Sequence, residues 1–380
     1  MRKVRVYLVG VGGYGSLYAE ALLRRQQAGF VEIVGATDPH GEAVSARELK
    51  TAGVPFYENM HDFYSRQSAD LCIISTPIYC HREHVSIALQ YGSNVLCEKP
   101  AAGSTEEVEE MIQKQQRSGK FVAIGFQRSF SDAVLKMKQD ILSGNWGAPQ
   151  SLKTITMFPR PINYFSLRSW AGKRYTIDGK PVMDSIANNA AAHMLHHMLF
   201  CLGRQLDTSA IGTLEEAELY RANEIETFDT VCARFSVNGI PVNYYAAHPV
   251  EKEVRPTFEF HFENGLIRMG ADQRITGIYR NGMEISYGKE EGHEIKLDKV
   301  LTAIQTGDRS LVTCTVETAY PHSLAVKKLD EKLEDVYIFQ AAEKKRFIMR
   351  DGTEQWMVPG LGKRLQAAYE KEKMLKELDG

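Results

Sequence analysis

Three things are scarce in this 380-residue chain: an excess of charge of one sign, a long apolar run, and paired cysteine. Forty-six Lys and Arg stand against 48 Asp and Glu, a formal net charge of −2, so no overall field recruits nucleic acid or an anionic membrane surface. No apolar run approaches the roughly 18 residues of a membrane-spanning helix. The N-terminal MRKVRVYLVG alternates and breaks at glycine instead of forming a leader's apolar core. The six cysteines (Cys72, Cys80, Cys97, Cys201, Cys232, Cys314) form no CxxC pair and mostly sit in apolar runs, as buried thiols of a reducing compartment do. The expectation is a cytoplasmic protein with a small-molecule partner. What is present, 43% apolar and 25% charged residues over this length, is enough for two domains.

The segment VRVYLVGVGGYGSLYAEALL runs from an apolar strand through Gly10, Gly12 and Gly15 into residues at helical spacing. This is GxGxxG between a strand and a helix. Its glycines allow a tight turn and close approach of backbone to a pyrophosphate, and the helix start offers unpaired N–H groups. Gly13 and Tyr14 complete the turn. A second strand, VEIVGATD, ends at Asp38, about twenty residues further on, where a ribose 2′-hydroxyl needs an acceptor. A carboxylate there repels a 2′-phosphate and favours NAD over NADP; His40 and Arg47 are the side chains that bear on that preference. Further strands, DLCIISTP and NVLCEKP, alternate with helical stretches, and FVAIGFQ closes the domain near residue 125. Such alternation gives a parallel sheet covered by helices on both faces, with ligands collecting at the carboxyl ends of its strands. Thr76, Pro77, His81, Glu98 and Lys99 fall at those ends.

GVGGYG, STPIYCH and above all NVLCEKPAA resemble the Gfo/Idh/MocA oxidoreductases, the family of glucose-fructose oxidoreductase and inositol dehydrogenase. The resemblance implies an NAD(P)-binding Rossmann domain (residues 1–125), then an α+β domain (residues 126–380) for substrate and oligomerisation. It also implies oxidation of a sugar or cyclitol hydroxyl, or reduction of the matching ketone, with Lys99 as the active-site lysine. An ammonium that is partly desolvated near a cationic nicotinamide has its charged form disfavoured, and so can orient a reacting oxygen and carry its proton. Two other readings of the fold remain: an enzyme that retains NAD and cleaves glycosides by oxidation and elimination, and a dinucleotide-binding regulator without turnover.

NNAAAHMLHH (188–197) reads as an amphipathic helix whose polar side carries Asn189, His193, His196 and His197 toward solvent or a wet cleft, opposite Leu195, Met198 and Leu199. Three uses of it stand open. A metal site lacks the glutamate of HExxH and an obvious third ligand, so no metal is expected. Histidines satisfied at a domain interface are the second. The third comes from the family, whose Asp-x-Gly-x-His-x-x-Asp stretch implies His193 as acid/base, with Asn189 and His196 at positions often carboxylate. Asn189 can orient His193 without adding charge, and Asp184 is the nearby carboxylate.

Beyond residue 150 the pattern changes to alternating segments joined by Asn-Gly pairs at 238–239, 264–265 and 281–282, the signature of antiparallel hairpins. An open, mostly antiparallel sheet follows, one face under helices and the other free to form a homo-oligomer. The C-terminal LGKRLQAAYEKEKMLKEL reads as a helix packed on the sheet edge or frayed. Between Pro159 and Pro181 an irregular loop carries Arg160, Arg168 and Trp170. There an indole can stack on a sugar face and a guanidinium can grip a carboxylate or phosphate, or the loop is simply solvated.

Overall fold

The computed structural model describes residues 2–39, 41, 43–349 and 351–378. The chain divides into two compact units, Met1–Phe130 with Gly292–Tyr320, and Ser131–Glu291 with Pro321–Gly380. The first break thus falls five residues beyond the boundary expected from sequence. Residues 292–320, assigned there to the second domain, pack with the first unit instead. The reason is long-range: a helix from that stretch buries a lysine against the end of the fourth strand, as described below.

The first unit runs β1 (Val4–Val9), α1 (Gly15–Gln27), β2 (Val31–Thr37), α2 (Val44–Thr51), α3 (Met60–Arg66), β3 (Leu71–Ile74), α4 (His81–Gln90), β4 (Asn94–Cys97), α5 (Thr105–Ser118) and β5 (Val122–Ile124). Its strands are parallel in the order β2-β1-β3-β4-β5. Order reverses beside β1, so the crevice at a doubly wound sheet's switch point opens where the glycine turn leaves β1. The strands are buried on both faces and therefore read as continuous apolar runs, such as LCII at β3, every residue of which is buried. Helix ends carry their own stops. The Ser104 side chain accepts from the Glu107 amide at 3.2 Å, and Gly119 ends α5 in the left-handed region at φ 66°.

The second unit begins with α6 (Asp132–Leu142), β6 (Pro149–Met157), α7 (Ile162–Ser166), α8 (Ala192–Cys201), β7 (Thr213–Arg221), β8 (Thr230–Val237), β9 (Ile240–Ala247), β10 (Val254–Phe262), β11 (Gly265–Met269), β12 (Arg274–Tyr279) and β13 (Glu284–Lys289). Helix α9 (Ile295–Thr306) belongs to the first unit, and α10 (Val316–Asp330) divides between the two at Pro321. The second unit closes with β14 (Tyr337–Ile338), β15 (Lys345–Ile348), β16 (Glu354–Met357) and α11 (Leu361–Lys371). Nine strands form one sheet, β13-β12-β11-β10-β6-β9-β8-β7-β14, antiparallel except at β6/β9 and β7/β14. The three Asn-Gly pairs lie at the hairpins expected of them; at the first, Asn238 and Gly239 both have positive φ, 53° and 82°, as a two-residue hairpin turn with the sheet's twist requires.

Both faces of this sheet carry a core. One lies under α6, α8 and the second half of α10, around Met194, Leu195, Phe235, Tyr244, Phe258 and Leu329. The other lies under α11, where Leu361, Leu365 and Ala368 meet Ile155, Met157, Tyr245 and Ala247. The C-terminal helix is therefore neither frayed nor at an edge: its apolar stripe sits on the centre of the face expected to be free. Among the described residues, no helix is long and apolar enough to cross a membrane.

Leu365 is fully buried. Leu365→Ala is expected to cost about 2–5 kcal/mol, since a deleted core side chain loses transfer energy and leaves a cavity; a shift of the urea midpoint at constant m-value reads this, and a dispensable tail would shift nothing.

Candidate functional site

In the first unit the site is built from backbone. Gly10 takes φ 83°, and a β-carbon there would lie 2.9 Å from the Ser75 carbonyl oxygen; one at Gly15 would lie 2.3 Å from the Gly10 carbonyl oxygen. Only glycine lets the turn close so tightly against β3 and α1. Over the turn the space is open: a β-carbon at Gly13 meets nothing within 4 Å, and one at Gly12 meets only Asp38 at 3.8 Å. Among the described residues the Gly13 and Tyr14 amides have no acceptor. This is a cradle for an anion at the start of α1, and it fits a dinucleotide's pyrophosphate. Asp38 is held beside it, Oδ2 accepting from the Val11 amide at 2.7 Å and the Gly12 amide at 3.1 Å. His40 lies outside the described residues, and Arg47 is exposed on α2.

Thr76 and Pro77 lead from β3 toward α4, with the Thr76 methyl against Gly10. His81 and Glu98, expected to face a cofactor, are turned inward. His81 is buried, its Nδ1 3.0 Å from the Pro100 carbonyl and its Nε2 2.9 Å from the Thr76 carbonyl. Burial holds its pKa below the usual value against the pull of those carbonyls, and the neutral ring, with one N–H, donates to one of the two while packing between both strand-end loops. Glu98 is buried too. It accepts from the Tyr18 hydroxyl at 2.7 Å, from the Lys99 amide at 3.2 Å, and from the Lys296 ammonium in a short ion pair. Burial pushes this carboxyl's pKa up, but the charge and hydrogen bond of Lys296, with Tyr18 and Lys99, outweigh it and hold the value below the ordinary range. Lys99, next in the chain, is half-buried.

Lys296 was not singled out by motif. It is fully buried on α9, also donates to the Tyr14 hydroxyl at 3.2 Å, and lies 4.7 Å from the centre of the Tyr14 ring. The available signal was a lysine in line with Val300 and Ala303, at i, i+4 and i+7 on the apolar stripe; a cation there needs a buried carboxylate.

In the second unit α8 starts only at Ala192, and Asn189 lies in the turn before it. Every residue of α8 except His193 is buried. The amphipathic reading fails here because neutral imidazole packs as an aromatic ring: His196 stacks on Phe200 at 5.9 Å, and His197 lies 5.0 Å from Phe258. Burial, with the neighbouring His322, His197 and Lys138, holds the His196 pKa well below 6.5. His196 and His197 are thus core residues without access to a substrate, whereas half-buried His193 keeps access.

Asp184 is the hub of the surrounding network. Its Oδ2 accepts from the Gly172 amide at 2.6 Å and its Oδ1 from Asn189 Nδ2 at 2.8 Å; that same Nδ2 donates to the Tyr164 hydroxyl at 2.9 Å. Gly172 is at φ 70°, and a β-carbon there would strike Ile225 at 2.3 Å, so the loop closes on Asp184 only through glycine. Arg160 and Arg168 lie 4.2 and 4.7 Å from the Tyr164 ring centre, and Trp170 meets that ring edge-on at 6.4 Å. The loop expected to be irregular therefore wraps one tyrosine. His248, not foreseen, is buried behind it with Nδ1 2.7 Å from the Phe158 carbonyl; burial and the charge of Arg160 push its pKa down to about 3.

Residues 4–126 match the family described as "Oxidoreductase family, NAD-binding Rossmann fold". Among curated proteins, the chain is 27% identical to 2,7-anhydro-N-acetylneuraminate hydratase of Mediterraneibacter gnavus, over 52% of this chain and 47% of that protein. It is 30% identical to glucose-6-phosphate 3-dehydrogenase of Bacillus subtilis, over 39% and 41%. The chain thus spans about half the length of these curated relatives. The fold is that of the WlbA dehydrogenase from Bordetella pertussis, solved in complex with NADH and UDP-GlcNAcA: TM-score 0.71, 18% identity, 88% of this chain and 97% of that one.

Lys296→Met strands the Glu98 carboxylate in the interior and is expected to cost about 3–5 kcal/mol, with part regained in Glu98→Gln/Lys296→Met; a double-mutant cycle in urea measures both. A second expectation concerns acid. The folded-state pKa of His248 is depressed, so between about pH 6.5 and pH 3 the unfolded chain binds one more proton there, and stability falls as pH falls, by about 1.4 kcal/mol per unit. Unfolding curves at pH 7, 6 and 5 should show a shallower decline in His248→Gln than in wild type.

Proposed function

We propose that this chain, whose residues 4–126 match the NAD-binding Rossmann fold of the Gfo/Idh/MocA oxidoreductases, is an NAD-dependent dehydrogenase acting on a secondary hydroxyl, or the matching ketone, of a sugar, inositol or sugar-acid derivative. The observation that carries this reading is the open glycine cradle with Asp38 locked beside it. The glucose-6-phosphate 3-dehydrogenase relative and the nucleotide-sugar complex of the WlbA dehydrogenase supply the substrate class.

Bound NAD supplies the hydride acceptor or donor. The Gly13 and Tyr14 amides hold its pyrophosphate and Asp38 its ribose hydroxyls; the Asp38 charge repels a 2′-phosphate and so disfavours NADP. Thr76 and Pro77 line the approach, and His81 and Glu98 fix the loops from beneath. Lys99 orients the reacting oxygen and, as the neutral amine that desolvation and a neighbouring cation favour, takes its proton on oxidation of the hydroxyl and returns it from the ammonium on reduction of the ketone. His193 is the second acid/base, and Asn189, its amide set by Asp184 and Tyr164, orients the hydroxyl. Arg160, Arg168 and Trp170 form the substrate rim. The protein works in the cytoplasm as a homo-oligomer, on a small molecule and without a nucleic-acid or membrane partner; α11 covers the centre of the sheet face first expected to join the copies.

A second reading keeps NAD bound through a reaction with no net redox change, such as cleavage of a glycosidic C–O bond; the hydratase relative favours it.

Absorbance of NADH over a panel of sugars, polyols and sugar acids tests the first reading. Lys99→Met and His193→Ala are expected to lower kcat about 100-fold or more, with NAD affinity unchanged in calorimetry, while Asp38→Ala weakens NAD binding. Silence of wild type on the whole panel, or full turnover in Lys99→Met, overturns it, and product formed without NADH selects the second reading.

A further inference from the structure

Five cationic side chains lie on the loop between Pro159 and Pro181; beside Lys180 at its end, the other four fall into two pairs. Lys173 is neutralised by Glu226 at 3.0 Å and Arg174 by Asp330 at 3.4 Å. Arg160 and Arg168 have no carboxylate within ion-pair distance among the described residues. Both instead stand over the Tyr164 ring, so their guanidinium carbons are at most about 9 Å apart, a spacing at which like charges repel unless something negative lies between or beside them. Arg160 Nε is buried and has no acceptor among the described residues. Asp184, the nearest carboxylate of the network, has both oxygens engaged by the Gly172 amide and Asn189.

Two further groups complete the arrangement. The Tyr164 hydroxyl accepts from Asn189, and its own proton has no acceptor among the described residues, so it remains a donor. His248 is neutral behind Arg160, kept so by burial and by that arginine, and adds no competing positive charge. Neither guanidinium is in an ion pair among the described residues, and planar guanidiniums present their N–H groups in forks matched to oxyanions.

Resting on the dehydrogenase reading above, we infer that Arg160, Arg168 and the Tyr164 hydroxyl form a subsite for an anionic substituent of the substrate, a carboxylate or phosphate carried on the sugar. The subsite is linked to Asn189 through one phenol ring, so a charged group held there places the rest of the same sugar at Asn189. The chain accordingly acts on acidic sugars in preference to neutral ones.

Calorimetry of the full chain, with and without saturating NAD, against glucose, glucuronate and glucose 6-phosphate tests this independently of turnover. Glucuronate or glucose 6-phosphate is expected to bind about 10-fold or more tighter than glucose, and the tighter of the two identifies the anion as carboxylate or phosphate. Arg168→Gln, at an exposed position, and Arg160→Gln should each remove about 10-fold of that preference, and the double variant should bind the acidic sugars no better than glucose, with NAD affinity unchanged. Should Arg160→Gln fail to fold, Arg168→Gln carries the test alone. Equal binding of neutral and acidic sugars by wild type, or an undiminished preference in Arg168→Gln, overturns the subsite. Arginine-dependent binding without NADH formation from any sugar would sink the dehydrogenase reading and leave the subsite standing. NADH formation from neutral and acidic sugars alike, unchanged in the variants, would do the reverse.

Discussion

A carboxylate that water cannot reach has to be matched by cations and donors on every side, or it will not stay charged. Glu98 is such a group, and meeting its demand brings together Tyr18 of α1, Lys296 of α9 and the amide of Lys99. Because α1 leaves directly from the glycine turn and Lys99 follows Glu98, one buried charge registers the anion-binding end of a helix against the tip of β4. Hydrophobic burial alone has no direction and would tolerate small slips between these elements; a hydrogen-bonded ion pair does not. Gly125 shows how close the fit is, since a β-carbon there would lie 2.9 Å from the Glu98 oxygens.

The second unit solves the corresponding problem with a different device. Asp184 draws in the Gly172 amide and the Asn189 side chain, and Asn189 in turn fixes Tyr164. A loop that would otherwise be solvated is wrapped around a single ring, and the ring carries two arginines. Placing His193 at the one accessible position of an otherwise buried helix limits its freedom in the same way. Lys99 in the first unit and His193 in the second are themselves only half-buried, beside neighbours held inside.

How much of this could be read from residues alone depended on the range of the interaction. The glycine turn, Asp38 and the strand-end EKP were legible because parallel strands repeat a local pattern and ligands gather at fixed ends of them. The Asn-Gly hairpins were legible because the turn chemistry is contained in two residues. HMLHH misled because a helical wheel scores imidazole as polar, whereas the buried His196 and His197 pack against Phe200 and Phe258 as aromatic rings do. The C-terminal helix misled through its many charges, which mask the Leu361, Leu365 and Ala368 stripe. Lys296 was invisible to motif reading, since its partner lies 198 positions away and only the finished fold brings the two together. Asp184 stood between these extremes: close enough in sequence to Asn189 to be suspected, yet tied also to Gly172 by a loop closure that the chain does not announce.

The return of α9 to the dinucleotide-binding unit also decides how this polypeptide can be taken apart. The unit is discontinuous, its complement supplied by a stretch more than 160 residues downstream of Phe130. A fragment cut after residue 130 would keep all five parallel strands and the whole glycine signature, yet would carry an acidic group in its interior with its counter-ion deleted. The first unit is therefore not a transplantable module, and its maturation on the ribosome must wait until more than four-fifths of the chain has been made.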